Sequence, residues 1–142
     1  MDIPDESYDR ICDLCEEGNA LAEKGEYSLA ILRFEEAFAI LPLPPVMWDA
    51  YTWIKLAIGD SLFLQGKYGD ATEFLFEAMN GIEGACNPFL LLRLGQSMYE
   101  TNKGGYEEFL CRAYVLDGFE VFKGEDIKYL DVVRNSGLLK RE

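Results

Sequence analysis

The sequence predicts an all-α protein assembled from repeated helix pairs. Hydrophobic residues make up 49% of its 142 residues, which is typical of a folded chain with a buried core. A set of small, aromatic and apolar residues recurs along the chain at constant spacing. Near the C-terminus, Ile127, Leu130 and Val133 follow the spacing of one helix face. These three observations indicate helices that pack against one another, and no strand is expected.

The recurring set has six members, and its second copy begins 41 residues after the first. The matched positions are Gly18 and Gly59, Gly25 and Gly66, Tyr27 and Tyr68, Ala30 and Ala71, Phe34 and Leu75, and Ala37 and Ala78. Small residues are expected where two antiparallel helices approach closely. The second glycine of each copy is expected to end the first helix in a tight turn.

This order resembles the tetratricopeptide repeat, whose pattern runs through an L-G pair, a turn, an Ala, a Phe and a closing Pro. Pro42 takes the closing place in the first copy. The resemblance implies an α-solenoid of three helix pairs plus a C-terminal capping helix, wound as a superhelix and forming one domain over residues 1–142. The implied segments are repeat 1 at about 8–42, an insertion at 43–49, repeat 2 at about 50–84, repeat 3 at about 87–118 and the capping helix at about 125–140.

The third copy departs from the pattern at its turn. Leu94 and Gly95 supply the L-G pair, but Asn102 stands where glycine is expected, and the turn is one residue short. Tyr106 consequently takes the place of the small alanine. We therefore expect the third pair to pack at a slightly different angle.

The insertion interrupts the helices. Pro44 and Pro45 break the chain, and helix is expected to resume near Val46 and to continue to about Gln65. Further along, residues 112–118 and 122–129 look like the ending of small stand-alone bacterial proteins of the same repeat class.

The chain is acidic, with 26 Asp and Glu against 13 Lys and Arg and a net charge of −13. No basic stripe is present, so neither nucleic acid nor an anionic membrane surface is expected as a partner. This acidity would attract a basic protein partner, although it also serves solubility. No apolar run approaches membrane-spanning length, and the acidic N-terminus does not resemble a signal peptide. We therefore expect a cytoplasmic protein with reduced cysteines.

The sequence offers little for catalysis. It contains no histidine, which is the commonest general base and metal ligand, and it lacks a phosphate-binding glycine loop and a nucleophile elbow. Cys12 and Cys15 form a C-x-x-C pair, but Cys86 and Cys111 are isolated, whereas a structural zinc ion takes four ligands. We expect no enzyme activity, no metal and no cofactor.

The resemblance implies that the first helix of each pair lines a concave face and binds a partner protein. The groove and clamp positions of the family together give the candidate partner-binding residues Asn19, Glu23, Trp53, Asp60, Phe63, Leu64, Phe89, Arg93, Gln96, Tyr99 and Glu100. Four of these are aromatic and acidic residues rim them, which is typical of a protein-binding hot spot. The alternative is that several of these side chains belong to the core.

Some members of this family grip a C-terminal carboxylate with a clamp of five polar residues. Asn19 and Arg93 match their clamp positions, whereas Cys15, Asp60 and Phe89 replace the other three. Because Asp60 would repel a carboxylate, binding of a carboxylate tail is not expected.

We expect a non-enzymatic protein–protein interaction module, monomeric or weakly dimeric, that binds a basic or amphipathic protein partner on its concave face. Two alternatives stay open. One, implied by the likeness to the small bacterial proteins, is an immunity protein that neutralises a secreted toxin. The other is an acidic chaperone of this repeat type for a secreted protein. A toxin gene next door would favour the first, and genes of a secretion apparatus would favour the second.

Overall fold

A computed structural model describes residues 2–138. This part of the chain consists of seven α-helices and three short 3₁₀ turns, and it contains no strand. The helices are α1 (Asp5–Glu23), α2 (Tyr27–Ile40), α3 (Asp49–Leu64), α4 (Tyr68–Met79), α5 (Pro88–Glu100), α6 (Tyr106–Asp117) and α7 (Ile127–Asn135). The all-α class and the expected seven helices are confirmed for these residues. None of these helices combines the length and the apolar character needed to cross a bilayer.

Helices that follow one another in the chain pack together. α1 packs on α2, α3 on α4 and α5 on α6, while contacts of α2 with α3 and of α4 with α5 join these pairs. The turns inside the pairs are short, so the two helices of a pair run antiparallel. α3 also contacts both α1 and α5. The first helices of successive pairs are therefore neighbours on one side of the molecule.

In each helix pair, a glycine of the first helix lies directly against a large apolar side chain of the second helix. A Cβ atom added at Gly18 would lie 2.5 Å from the Phe34 ring, and one added at Gly59 would lie 2.6 Å from Cγ of Leu75. The expected close approach at both glycines is thus confirmed. In the third pair, a Cβ at Gly95 would lie 2.7 Å from Cγ of Leu110. Only a residue without a side chain lets the two helix axes come this close.

The turn inside each pair uses the left-handed backbone region. Gly25 and Gly66 have φ angles of +80° and +79°, and Asn102 has a φ of +54° at the corresponding place of the third pair. Asparagine tolerates this region better than most residues with a side chain, so it replaces the glycine there. The expectation of a shorter third turn was wrong, because five residues separate α5 from α6, whereas three separate α1 from α2 and α3 from α4. α6 begins at Tyr106 and still brings Leu110 against Gly95.

The start of α3 differs from the sequence expectation. Helix does not resume at Val46: residues Pro45–Met47 form a 3₁₀ turn, Trp48 is extended, and α3 begins at Asp49. The indole Nε1 of Trp48 donates a hydrogen bond of 2.8 Å to the carbonyl oxygen of Pro42. This bond ties Trp48 back to the end of the preceding segment, which accounts for its extended backbone. The expectation of a helix from Val46 was therefore wrong by three residues.

The buried side chains form two clusters. The larger cluster contains buried side chains from each of the first four helices, α1, α2, α3 and α4, together with Leu90, Leu94 and Met98 of α5. The smaller one joins Leu91 and Leu92 of α5 with α6, α7 and the 3₁₀ turn between them. α5 serves both clusters, which is why it is buried without interruption from Leu90 to Met98.

α7 covers the end of the third pair. Asp126 caps it, because its carboxylate accepts a hydrogen bond of 3.0 Å from the backbone nitrogen of Lys128. Leu130 and Val133 are buried against the third pair, whereas Ile127 is exposed. The helix is shorter than the expected 125–140, and residues 139 and 140 of that range lie outside the described residues.

Candidate partner-binding face

The centre of the expected binding face is α3. Trp53 and Leu64 are 45% and 44% exposed, while Asp60 and Phe63 are half-buried. Leu64 comes eleven positions after Trp53, which places the two residues about 16 Å apart along the helix axis. The exposed apolar side chains of α3 therefore mark two ends of a strip rather than one cluster.

The N-terminal end of this strip opens into a cleft. Trp53 lines a cleft of about 470 Å³ together with Asp49, Ile82 and Glu83. Asp49, Ile82 and Glu83 are all exposed. The indole thus combines a large apolar surface with two nearby carboxylates, which is an arrangement that suits a partner carrying both apolar and basic groups.

α1 supplies the neighbouring edge of the strip. Asn19 and Glu23 are both exposed, and neither side chain hydrogen-bonds or forms an ion pair with another described residue. Glu23 is the last residue of α1, and α1 contacts α3. Both side chains are accordingly available to a partner that lies across α1 and α3.

The candidate residues on α5 are much less accessible. Arg93 and Gln96 are buried, with Gln96 fully excluded from solvent. Phe89, Tyr99 and Glu100 are half-buried. The segment that leads into α7 covers this part of the face.

Arg93 lies at the centre of a network that explains this burial. Its Nε lies 2.6 Å from Oδ1 of Asp60, and its Nη1 lies 2.8 Å from both Oε1 of Glu125 and Oε1 of Gln96. The amide nitrogen of Gln96 donates a further bond of 2.8 Å to the same Glu125 oxygen. One guanidinium thus connects α3, α5 and the start of the C-terminal segment.

Two aromatic rings complete the surroundings of Arg93. The guanidinium carbon lies 4.5 Å from the ring centre of Phe63 and 4.8 Å from that of Phe89, within the range of a cation–π interaction. With Asp60 and Glu125 also bound, two carboxylates offset the single cation. In this arrangement Arg93 is not available to grip the carboxylate of a partner, and Asp60 is not a free acidic group of the rim.

Glu100 is bound from the other side by α7. Tyr129 donates its hydroxyl to Oε2 of Glu100 at 2.5 Å, and Nζ of Lys128 lies 2.8 Å from the same oxygen. Burial raises the pKa of Glu100, but the hydrogen bonds from Lys128 and Tyr129 outweigh this effect and hold the pKa below its ordinary value. The ring of Tyr129 also meets that of Tyr99 edge to face, with 5.5 Å between their centres.

The cysteines of the C-x-x-C pair lie on α1. Both Cys12 and Cys15 are half-buried. Burial, with a smaller contribution from Cys12, raises the pKa of Cys15 to about 11, so this thiol stays protonated at neutral pH and is a poor nucleophile. Among residues 2–138, no three histidine, cysteine, aspartate or glutamate side chains lie close enough together to hold a metal ion.

Sequence reasoning identified the positions on α5 but missed the residues that cover them. The sequence predicts only a capping helix for the segment that contains Glu125, Lys128 and Tyr129. The acidic residue at 125 follows Gly124, whose φ is +78°, and this turn directs the chain back toward Arg93. The only signal in the sequence that could have suggested Glu125 is Arg93 itself, which stands among leucines and would need a carboxylate partner if it were buried. Several acidic residues would have fitted that role equally well.

Comparisons with known proteins assign no family. No protein-family model matches the chain, and no curated protein matches it. What this molecule does has to follow from its own residues.

Proposed function

We propose that the chain is a tetratricopeptide-like α-solenoid that binds another protein on the face formed by α1 and α3. The recurring contact of Gly18 with Phe34, Gly59 with Leu75 and Gly95 with Leu110 supports a repeat built three times. The contacts of α3 with both α1 and α5 support a shared face of first helices. A row of such helices is the usual binding surface of repeat proteins of this kind.

The observation that carries the function is the exposure of Trp53 and Leu64 on the central helix. Large apolar side chains that stay exposed on one face often mark an interaction site. Tryptophan is among the residues that contribute most to binding when a partner buries it. The C-terminal segment covers the candidate positions on α5, so the accessible part of the face is formed by α1 and α3.

The partner of this face is a protein with a basic or apolar segment. Glu23, Asp49 and Glu83 border the strip, and the net charge of −13 favours the approach of a cationic partner. A carboxylate tail is not the ligand, because Arg93 is already bound to Asp60 and Glu125. The proposed activity is binding alone, without catalysis, cofactor, nucleic acid or membrane.

A pull-down from native lysate, followed by identification of the captured protein, provides the partner. A toxin would favour the immunity function, and a secreted substrate would favour the chaperone function. Trp53→Ala is then expected to weaken binding by about 2 kcal/mol, or about thirtyfold, mainly through faster dissociation.

Leu64 and Leu29 offer a matched test of the face. Both are leucines that are 44% exposed, but Leu64 lies on α3 and Leu29 on α2. Leu64→Ala should weaken binding, whereas Leu29→Ala should leave it unchanged. The proposal fails if Leu29→Ala abolishes binding while Trp53→Ala and Leu64→Ala have no effect, because the partner would then dock on the second helices.

A further inference from the structure

The cleft that Trp53 lines, called the Trp53 cleft from here on, is formed by two separate segments of the chain. One wall is the start of α3, where Asp49 and Trp53 are four residues apart and therefore lie on the same face of the helix. The other wall is the loop between α4 and α5, which contributes Ile82 and Glu83. Two carboxylates from different segments thus share one cleft with an exposed indole ring.

The two walls are held together by contacts within the chain. Oγ1 of Thr52 donates a hydrogen bond of 3.0 Å to the carbonyl oxygen of Ile82. A Cβ atom added at Gly81 would overlap the same Oγ1, and one added at Gly84 would overlap the carbonyl oxygen of Ala78. The loop therefore lies directly against α3 and α4. Because the cleft is already formed, less conformational freedom is lost when a ligand binds in it.

The charges of the Trp53 cleft are not neutralised by the residues that the structure describes. Neither Asp49 nor Glu83 forms an ion pair with any residue between 2 and 138. Within the same range, no lysine or arginine lies over the Trp53 ring. The cleft therefore presents two negative charges and an aromatic face to a cationic group of another molecule.

Arg93 shows how this protein surrounds a guanidinium group. The Arg93 side chain pairs with the carboxylates of Asp60 and Glu125, and its guanidinium carbon lies 4.5 Å from the ring centre of Phe63. The Trp53 cleft contains the same kinds of group, two carboxylates and an aromatic ring. A guanidinium forms paired hydrogen bonds with a carboxylate and stacks on an aromatic ring, whereas a lysine ammonium is a more strongly hydrated point charge. The composition of the cleft therefore favours arginine.

We propose that the Trp53 cleft binds an arginine side chain of the partner protein. The guanidinium pairs with Asp49 and Glu83 and stacks on the indole of Trp53. This inference rests on the proposed function, because the partner that docks on the face formed by α1 and α3 supplies the arginine. It narrows the partner from any basic or apolar protein to one that presents an exposed arginine in the segment that binds.

Nuclear magnetic resonance of the isotope-labelled, unmodified protein tests the cleft without a partner. The chain contains two tryptophans, so two indole N–H signals are expected, and Trp53→Phe assigns them. The probe is arginine blocked at both ends, N-acetyl-arginine-N-methylamide. It should shift the Trp53 signal in a saturable way and leave the Trp48 signal in place, because the Trp48 indole already donates to the carbonyl oxygen of Pro42. A Trp53 signal that does not move over the whole soluble range of the probe overturns the proposal.

Two further probes distinguish a guanidinium from other groups. The blocked lysine analogue carries an ammonium, and the blocked citrulline analogue has nearly the shape of arginine without its charge. The lysine probe should bind more weakly than the arginine probe by about threefold or more, and the citrulline probe should leave the Trp53 signal in place. Equal affinities of the arginine and lysine probes, or saturable binding of the citrulline probe, would contradict recognition of a guanidinium.

Variants that remove one charge test the two carboxylates. Asp49→Asn and Glu83→Gln should each weaken binding of the arginine probe by about threefold or more. Asp70→Asn is the matched control, because Asp70 is an exposed acid in the first turn of α4, as Asp49 is in the first turn of α3; it should bind the probe as the unmodified protein does. The spectrum of each variant shows whether it is folded. Unchanged affinity in both cleft variants, or an equal loss in Asp70→Asn, would mean that the net charge alone attracts the probe.

The captured partner then separates this inference from the proposed function. Asp49→Asn and Glu83→Gln should weaken partner binding, as Trp53→Ala does, and Asp70→Asn should not. If Trp53→Ala weakens partner binding while Asp49→Asn and Glu83→Gln leave it unchanged, the binding face is retained and the arginine is refuted. If Trp53→Ala and Leu64→Ala both leave partner binding unchanged while the arginine probe still shifts the Trp53 signal, the proposed function fails and the cleft remains a site for a guanidinium.

Discussion

Replacing Arg93 by methionine would test whether the buried network holds the C-terminal segment in place. The change removes the guanidinium and keeps an unbranched side chain. Hydrogen bonds that involve a charged group contribute about 1.5–3 kcal/mol each, and Arg93 makes two with carboxylates, to Asp60 and Glu125. The carboxylate side chains are 28% and 20% exposed, so water would partly compensate their loss. We therefore expect the free energy of unfolding to fall by about 2–4 kcal/mol.

Urea unfolding followed by circular dichroism measures this change. Arg134→Met is the matched control, because Arg134 pairs with Asp131 at 3.2 Å on α7 while both side chains are about half exposed. This exposed pair should contribute less than about 0.5 kcal/mol. Comparing the two variants separates the effect of burial from the effect of removing any arginine.

An Arg93→Met variant with the same stability as the unchanged protein would show that the buried network does not hold the C-terminal segment in place. A double-variant cycle with Glu125→Gln gives a more specific result. If the two residues act as a pair, the effect of Arg93→Met should be smaller when Glu125→Gln is already present. Fully additive effects would mean that Arg93 and Glu125 do not interact energetically.

Three further perturbations test the packing and the C-terminal segment. Gly18→Leu should destabilise the protein by about 1–3 kcal/mol, because the new side chain would overlap the Phe34 ring. Gly69→Leu is the control and should not destabilise it in this way, because the space around Gly69 is open; equal melting temperatures of the two variants would contradict the close approach of α1 and α2 at Gly18. The pKa of Glu100 in the folded protein lies below the ordinary value of a glutamate, so Glu100 should stabilise the fold at pH values above the ordinary pKa and should lose this contribution as the pH falls through the folded-state pKa. Glu100→Gln should therefore reduce the loss of stability in acid, and identical plots of stability against pH for the two proteins would contradict this expectation. Deletion of residues 125–142 should expose the apolar end of the third pair and cause aggregation, which light scattering would detect; a stable, monodisperse product would show that α7 is dispensable.

The sequence was sufficient for the helices because their determinants are local. Gly18 and Gly59 could be recognised from repeated spacing, and the structure shows why that spacing is needed. The start of α3 could not be predicted, because it depends on the hydrogen bond from Trp48 to Pro42. Helix propensity contains no information about a side chain that bonds to an earlier carbonyl group.

The binding face could be predicted only in part. Trp53 and Leu64 are exposed as a partner-binding role requires, and their role stays a prediction. Arg93 and Gln96 occupy positions expected in the groove but are buried, because Glu125 lies against them. About thirty residues separate these groups in the chain, and charge alone does not select Glu125 from the 26 acidic residues available. The deciding information is the path of the backbone between α6 and α7.

The position of Arg93 also bears on how the molecule unfolds. Stacked repeats can open one unit at a time, because each unit contacts only its neighbours. The side chain of Arg93, which connects α3, α5 and Glu125, resists such stepwise opening. The third pair could not separate from the second pair without breaking the bond of Arg93 to Asp60, and α7 could not leave the third pair without breaking the bond of Arg93 to Glu125. Amide hydrogen exchange in α5, α6 and α7 should accordingly occur through a common opening event, which would make this end of the chain one cooperative unit.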